Sequence, residues 1–303
     1  MTSKQSLSDR PDKKRRKKGE KNKDAIKIPD SADLCYCFPD GGSFAGVIKL
    51  FSSWQEHGNF HFTRDAVSFV RSNSNLTILG DAKWKADAVM VKGDPEDIAE
   101  EGFNFGVDLK EFHTTATRTL TKNDRMLLYF RGDNSNMYVE QVNHKTSTAS
   151  SNETPFTNKH VPTKSFSTRM IGKRNLPNVV VRAEEFFIQI NLLAVAKCLK
   201  VNVQCNKEGI RFSGENKDGK TNKSVAFGPA RTDFDDDLKI TIPNKKLKTI
   251  ILMRNISKPS SLIRVFYENG MPLLIMCDMG PEDNCYGHFK LYLKEERKPD
   301  DKE

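Results

Sequence analysis

The sequence predicts an α+β protein made of two copies of one domain, each with two helices on antiparallel sheets. Three observations carry this reading. Phe60-His61-Phe62-Thr63-Arg64-Asp65-Ala66-Val67-Ser68-Phe69 aligns without a gap on Val203-Gln204-Cys205-Asn206-Lys207-Glu208-Gly209-Ile210-Arg211-Phe212, 143 positions later. Both stretches read as alternating strand, charged turn, alternating strand, which is a β-hairpin pattern. At the same offset each is preceded by a helical apolar pattern, Phe44/Val47/Ile48/Phe51 in one copy and Phe187/Ile190/Leu193/Ala194 in the other. Each is followed, after a second helix-like stretch, by a longer hairpin: Met126 to Val142 around Gly132-Asp133-Asn134, and Leu262 to Met279 around Glu268-Asn269-Gly270. A period this long marks a duplicated domain, not a solenoid.

Taken in order, residues 1–30 hold the run Lys13-Lys14-Arg15-Arg16-Lys17-Lys18 and no aromatic residue. They read as a disordered basic arm, an import or phosphate-binding element or a solvating tail. The first domain covers 31–143. Its expected order is strand 33–38, helix 43–56, hairpin 59–71, strands 75–80 and 84–92, helix 108–120 and hairpin 125–143. The helices are placed by 3.6-residue periodicity and the strands by alternation. Residues 144–178, rich in Ser, Thr, Asn, Lys and Pro, read as a connector. The second domain, 179–296, repeats the order, and 297–303 is a charged end.

The 303 residues have room for two ordinary domains, and 37% hydrophobic against 29% charged content reflects the polar segments at the start and middle. No apolar run reaches membrane-spanning length, and the N-terminus is too charged for a secretory signal. The six cysteines lack metal spacing, so they read as reduced, partly buried thiols of a cytosolic or nuclear protein. Residues 1–30 supply +6 of the formal net charge of +9. In the body, what matters is therefore which face carries positive charge. The polar sides of the first helices offer Lys49 and Lys197, with Lys200 just beyond. Those of the second helices offer Lys110, Arg118 and Lys122, and Lys245, Lys246, Lys248 and Arg254. Any one of these fits a solvated helix face, but recurrence in both copies points to an anionic partner. Acidic residues gather in loops, Asp94 to Glu101 and Asp233 to Asp237. The second run has the carboxylates of a hard-cation site and also the setting of an ordinary acidic loop. With scattered histidines, no Cys–His pairing and no Gly-rich loop, no enzyme, metal or cofactor is expected.

The order of elements, the duplication and the chain's end together resemble the DNA sliding clamps of the proliferating cell nuclear antigen (PCNA) family. Met279-Gly280 followed by Gly287-His288-Phe289-Lys290-Leu291-Tyr292-Leu293 is similar to the family's closing Asp-Met-Gly-His-Leu-Lys-Tyr-Tyr-Leu strand, interrupted here by Pro281 to Tyr286. Phe105-Gly106-Val107-Asp108-Leu109 resembles the Met-Gly-Val-Asn-Leu entry to a helix. Phe187 through Phe212 matches the first helix and hairpin of the family's second domain. The likeness, spread over residues 40–295 at low identity, is that of a divergent clamp of the kind found in large DNA viruses. The chain departs from the family in its long basic connector, in Lys294-Glu295 where the family has Ala-Pro, and in Leu192 where it has an arginine.

The resemblance implies a homotrimeric ring, sheets outside and helices around double-stranded DNA, holding a DNA polymerase and other replication proteins through short hydrophobic peptides, with a clamp loader. It places the protein in the nucleus or a viral replication compartment in the cytoplasm. The ring would close through edge strands, Asn136 to Val142 (with Tyr138 and Val139) and Lys223 to Gly228 (with Val225 and Phe227). Leu76, Leu79 and Pro272, with Met170, Ile171 and Leu176 from the connector, would line the peptide pocket. The alternative within the same fold is an open clamp-like processivity factor, or a viral late transcription factor, that holds DNA by charge.

Overall fold

The computed structural model describes residues 26–143, 153–159, 161, 176–196, 198–230, 238–268, 270–280 and 282–294. The first copy runs β1 (Leu34–Phe38), α1 (Gly41–Ser52), β2 (His57–Phe62), β3 (Ala66–Ser72), β4 (Ile78–Lys85), α2 (Ala86–Val89), β5 (Met90–Lys92), β6 (Phe103–Asp108), α3 (Leu109–Phe112), β7 (Arg125–Arg131), β8 (Asp133–Val142) and β9 (Thr154–Thr157). The second runs β10 (Val179–Arg182), α4 (Ala183–Val195), β11 (Lys200–Asn206), β12 (Gly209–Glu215), β13 (Thr221–Phe227), β14 (Leu238–Pro243), α5 (Asn244–Leu252), β15 (Leu262–Phe266), β16 (Leu273–Met279) and β17 (Gly287–Leu293). The α+β class with antiparallel sheets is therefore as the sequence predicts.

The duplication extends to hydrogen-bond register. Phe60 faces Phe69 and Phe62 faces Val67; Val203 faces Phe212 and Cys205 faces Ile210. The alternation that identified the hairpins puts these residues on one buried face, and burial fixes register because a one-residue slip would turn them all to solvent.

The described residues form three sheets, ordered β5-β1-β7-β8-β9, β10-β15-β16-β17-β4-β3-β2-β6 and β13-β12-β11-β14. The eight-stranded sheet belongs to both copies. Its seam is seven register pairs between β17 and β4, from Gly287 opposite Trp84 to Leu293 opposite Ile78. Helices α1, α3, α4 and α5 cover one face of the sheets in a single row. α1 packs on α3 at one side and on the Met253–Asn255 turn and α5 at the other, and α5 packs on α4. Gly46 makes the crossing between copies possible, since a Cβ there would lie 3.0 Å from the backbone of Asn255. One continuous core fills the space between row and sheets. In the first copy it is strongly aromatic, with Trp84 edge-on to Phe38 and Phe60 edge-on to Phe69.

Local chemistry sets the helix starts. Asp40 caps α1, accepting from the Ser43 amide at 2.9 Å, and Asp108 caps α3, accepting from the Lys110 and Glu111 amides. The second helix of the first copy is shorter than the 108–120 expected, because it widens into a π-helical turn over His113–Thr117. There Thr114 and Thr115 hydroxyls bond back to the Lys110 and Glu111 carbonyls. The expected strand 84–92 divides into the end of β4, α2 and β5.

Two findings alter the expected edges. Residues 154–157, inside the stretch read as connector, form β9 and pair with Asn136–Val139 of β8. Tyr138 and Val139 thus lie on a strand flanked on both sides, and among the described residues the outer strand of that sheet is β9 rather than β8. The expectation failed because Thr-Pro-Phe-Thr is too short and polar to show strand periodicity. β13, the other expected edge, is an edge among the described residues.

Candidate nucleic-acid interface and assembly edges

The helical row carries most of the expected cations, in two groups. Lys49 at the end of α1, Lys110 on α3 and Arg118 just after the π turn are all exposed. His113 lies among them. Its imidazole is held below the usual histidine range by partial burial first, then by the Lys49 and Arg118 charges, so both cations are within electrostatic reach of one ring. The second group straddles the two copies. Lys122 is half-buried, and its Nζ donates to the Ser257 carbonyl at 2.8 Å and to that of Arg254 at 3.5 Å. Burial pulls its pKa down, Asp40 opposes this, and Lys258 and Arg254 add to it. Lys122 therefore fastens the copies together beneath a positive surface. Arg254 itself is exposed, as are Lys245 and Lys248 on α5 and Lys200 at the start of β11. Lys197 lies outside the described residues.

Lys246 does not belong to this face. It is fully buried, and its Nζ donates to the Lys294 carbonyl at 2.7 Å. Helix periodicity puts it near the core stripe of Leu247 and Ile250, and only its long side chain lets an ammonium reach a partner at the chain's other end. The two lysines should separate cleanly by experiment. Lys49→Glu should leave thermal stability unchanged and reduce the salt slope of DNA binding by at least about one. Lys246→Glu should destabilise the fold by about 3–5 kcal/mol, because a buried cation becomes a buried, unpaired anion. Thermal melts and DNA titrations at several salt concentrations would check both.

The second copy's first helix is not basic at all. Position 192, equivalent to Lys49, is leucine, and the solvent ridge of α4 and the turn after it reads Ile188, Leu192, Val195 and Leu199, each more than a third exposed. The positive face is therefore built by α1, α3 and α5.

The opposite face of the eight-stranded sheet carries a line of apolar side chains across the seam. Leu79 on β4 faces Tyr292 on β17, Tyr292 faces Leu274 on β16, and Leu274 faces Phe266 on β15. With Val70 they form one cluster, separate from the core. Leu79 was anticipated. Tyr292, Leu274 and Phe266 were not, although alternation along β15–β17 would have pointed them outward. Beside the line, Leu76 stands 60% exposed at φ 54°, a left-handed conformation unfavourable for leucine. The Asn73 side chain imposes it by accepting from the Thr77 and Ile78 amides. Pro272 precedes β16 and is partly exposed, Leu176 is 68% exposed, and Met170 and Ile171 lie outside the described residues.

The edge strand β9 is firmly anchored. Glu153 accepts from the Tyr129 hydroxyl at 2.7 Å and pairs with Arg131, whose guanidinium sits 4.4 Å from the centre of the Tyr138 ring. Phe156 enters the core against Phe112. Beyond β9, the Lys159 amide donates to the Gly106 carbonyl and Asn158 accepts from the Gly106 amide, so the segment crosses onto β6. The approach is close at Gly106, where a Cβ would lie 2.9 Å from the Asn59 side-chain oxygen and 3.0 Å from Val161. At the other edge, Val225 and Phe227 of β13 point into the core, Phe227 against Phe186.

Asp233–Asp237 lies outside the described residues. Among those described, Glu56, His57 and Asp108 approach as metal ligands would, but two are exposed and Asp108 is already used as a helix cap. The cysteines are buried or partly buried, and burial raises the Cys35 thiol to about 12 and that of Cys37 to about 11, which keeps both unreactive. No helix among the described residues is long and apolar enough to cross a membrane.

No protein-family model and no curated protein matches the sequence. Solved structures do match. A PCNA2–PCNA3 complex from Sulfolobus tokodaii is similar at a TM-score of 0.66 and 15% identity, over 86% of this chain and 98% of that one. PCNA from Entamoeba histolytica gives 0.66 and 10%, over 88% and 100%. A. fulgidus PCNA, solved with the C-terminal region of FEN-1 bound, gives 0.65 and 14%, over 88% and 100%. The chain has the fold of these PCNA structures.

Proposed function

We propose that this chain is a divergent sliding clamp, of the kind large DNA viruses carry, that joins head to tail with two further copies and encircles duplex DNA. One observation carries the reading. Inside the chain, the block β10-β15-β16-β17 joins the block β4-β3-β2-β6 through β17 and β4. The chain also holds the equivalent blocks unjoined, β1-β7-β8-β9 ending at β9 and β13-β12-β11-β14 ending at β13. Repeating the internal seam between chains, β9 on β13 of the next copy, uses both edges and leaves neither open. The helical row then lies on one side throughout, with Lys49, Lys110, Arg118, Lys245, Lys248 and Arg254 directed at phosphates. Phosphate is the one part of duplex DNA that is alike at every position, which is what sliding requires.

The partner face is the apolar line Leu79–Tyr292–Leu274–Phe266 with Leu76 and Pro272. It suits a short hydrophobic peptide of a DNA polymerase or other replication protein, and the FEN-1 C-terminal peptide is a usable probe. Tethering such a partner raises its effective concentration at the primer end. Work of this kind belongs to the nucleus or to a viral replication compartment.

The test separates topology from charge. The first described residues, Ile26 and Ile28, pack over Cys35 and Tyr129 on the sheet face away from the helices. The basic tail thus joins the fold opposite the proposed DNA channel. Removing residues 1–25 should weaken binding to free linear DNA strongly, yet leave long products on primed circular DNA at moderate salt. Collapse to short products, with the fold and assembly intact, would favour an open factor held by charge.

A further inference from the structure

We propose that the contact between copies is a short, reversible strand pairing whose strength is set by Pro155, so that rings exchange with free monomers unless DNA holds them closed. The inference rests on the clamp reading and concerns the joint it requires. The internal seam is a full ladder of seven pairs, extended by the Lys294 amide donating to the Thr77 carbonyl and the Lys85 amide donating to that of Tyr286. Its counterpart between chains must be built on β9, which has four residues.

The hydrogen-bonding groups of β9 alternate between its two sides. Beyond its end the Asn158 amide donates inward, to the Ser135 carbonyl of β8. Stepping back by twos, the amides of Phe156 and Thr154 face β8, and positions 155 and 157 face outward, toward a second copy. Position 155 is proline and has no N–H. The next outward amide past 157, that of Lys159, is already bonded to the Gly106 carbonyl. Within Thr154–Thr157, Thr157 is therefore the one outward donor left. The receiving strand is also blunted: Thr221 to Ser224 of β13 are all exposed and polar, with Lys223 among them. Proline and lysine on edge strands are the devices that keep sheets from adding strands indiscriminately. The anchors at Glu153, Phe156 and Asn158 show that β9 is held as a definite edge, so its weakness toward a partner is a matter of donors and not of disorder.

The occupant is thus a second copy of this chain, and the experiment is dilution of the full-length protein without DNA, followed by mass photometry. The wild type should pass from assemblies to monomers within the accessible concentration range. Pro155→Thr restores one outward donor and should tighten each contact by about two- to tenfold, the worth of one net hydrogen bond. Thr157→Pro removes the remaining donor and should loosen each contact by a similar factor. Thermal melts of the monomeric forms should not differ by more than a degree or two, which excludes an effect through folding. A wild type that stays assembled at the lowest concentrations, or an assembly that Pro155→Thr leaves unmoved, overturns this proposal and leaves the ring reading standing. Monomers at every concentration, in all three proteins and also with primed circular DNA, sink the ring reading and this inference together.

Discussion

Aspartate in place of Phe156 should give a protein that folds, binds DNA at low salt and no longer assembles. Phe156 is only 7% exposed and packs against Phe112 with ring centres 4.7 Å apart. Burying an uncompensated carboxylate there costs several kcal/mol, more than a four-residue strand gains from its own hydrogen bonds. The cheapest response is release of β9 from β8, because the remaining strands of that sheet and the eight-stranded sheet pair without it. Removing β9 removes one of the two proposed joining edges. Mass in solution should fall to that of a monomer, and product length on primed circular DNA should collapse. The cations on α1, α3 and α5 are untouched, so linear DNA should still be bound at low ionic strength. An assembly that survives this change would place the contact elsewhere.

Leu76→Asp is expected to act on partners alone. Leu76 is mostly in solvent, so little packing is lost, and aspartate tolerates the left-handed conformation better than leucine does. Stability should be unchanged or slightly raised. Affinity for the FEN-1 peptide should fall by at least about tenfold, the worth of burying one leucine, with a charge now facing the apolar line. Fluorescence polarisation with a labelled peptide would measure it, with thermal melts as control. Equal affinity for the wild type and the variant would remove Leu76 from the site and turn attention to the α4 ridge.

Much of the fold was legible because short-range patterns carried it. Two hairpins at a fixed offset form where alternation places them, and the structure gives both the same pairing, Phe60 with Phe69 and Val203 with Phe212. What was misjudged depended on distant partners. The outer strand β9 has no pattern of its own; it exists because Phe112, Arg131 and Gly106 anchor it from elsewhere in the chain. Lys122 looked like another helix-face lysine, and it spans to Ser257, 135 residues away.

The sequence by itself determined the duplication, the α+β class, the two hairpins and the predominance of cations on the second helices, since each follows from periodicity or composition along a few consecutive residues. Only the tertiary structure decided which strands are edges, that Lys246 is buried while Lys245 and Lys248 are exposed, and that Leu79, Tyr292, Leu274 and Phe266 form one line across both copies. Those depend on how distant segments meet. A strand becomes an edge when no other segment pairs with it, and a lysine is buried when the far end of the chain supplies a carbonyl to receive it.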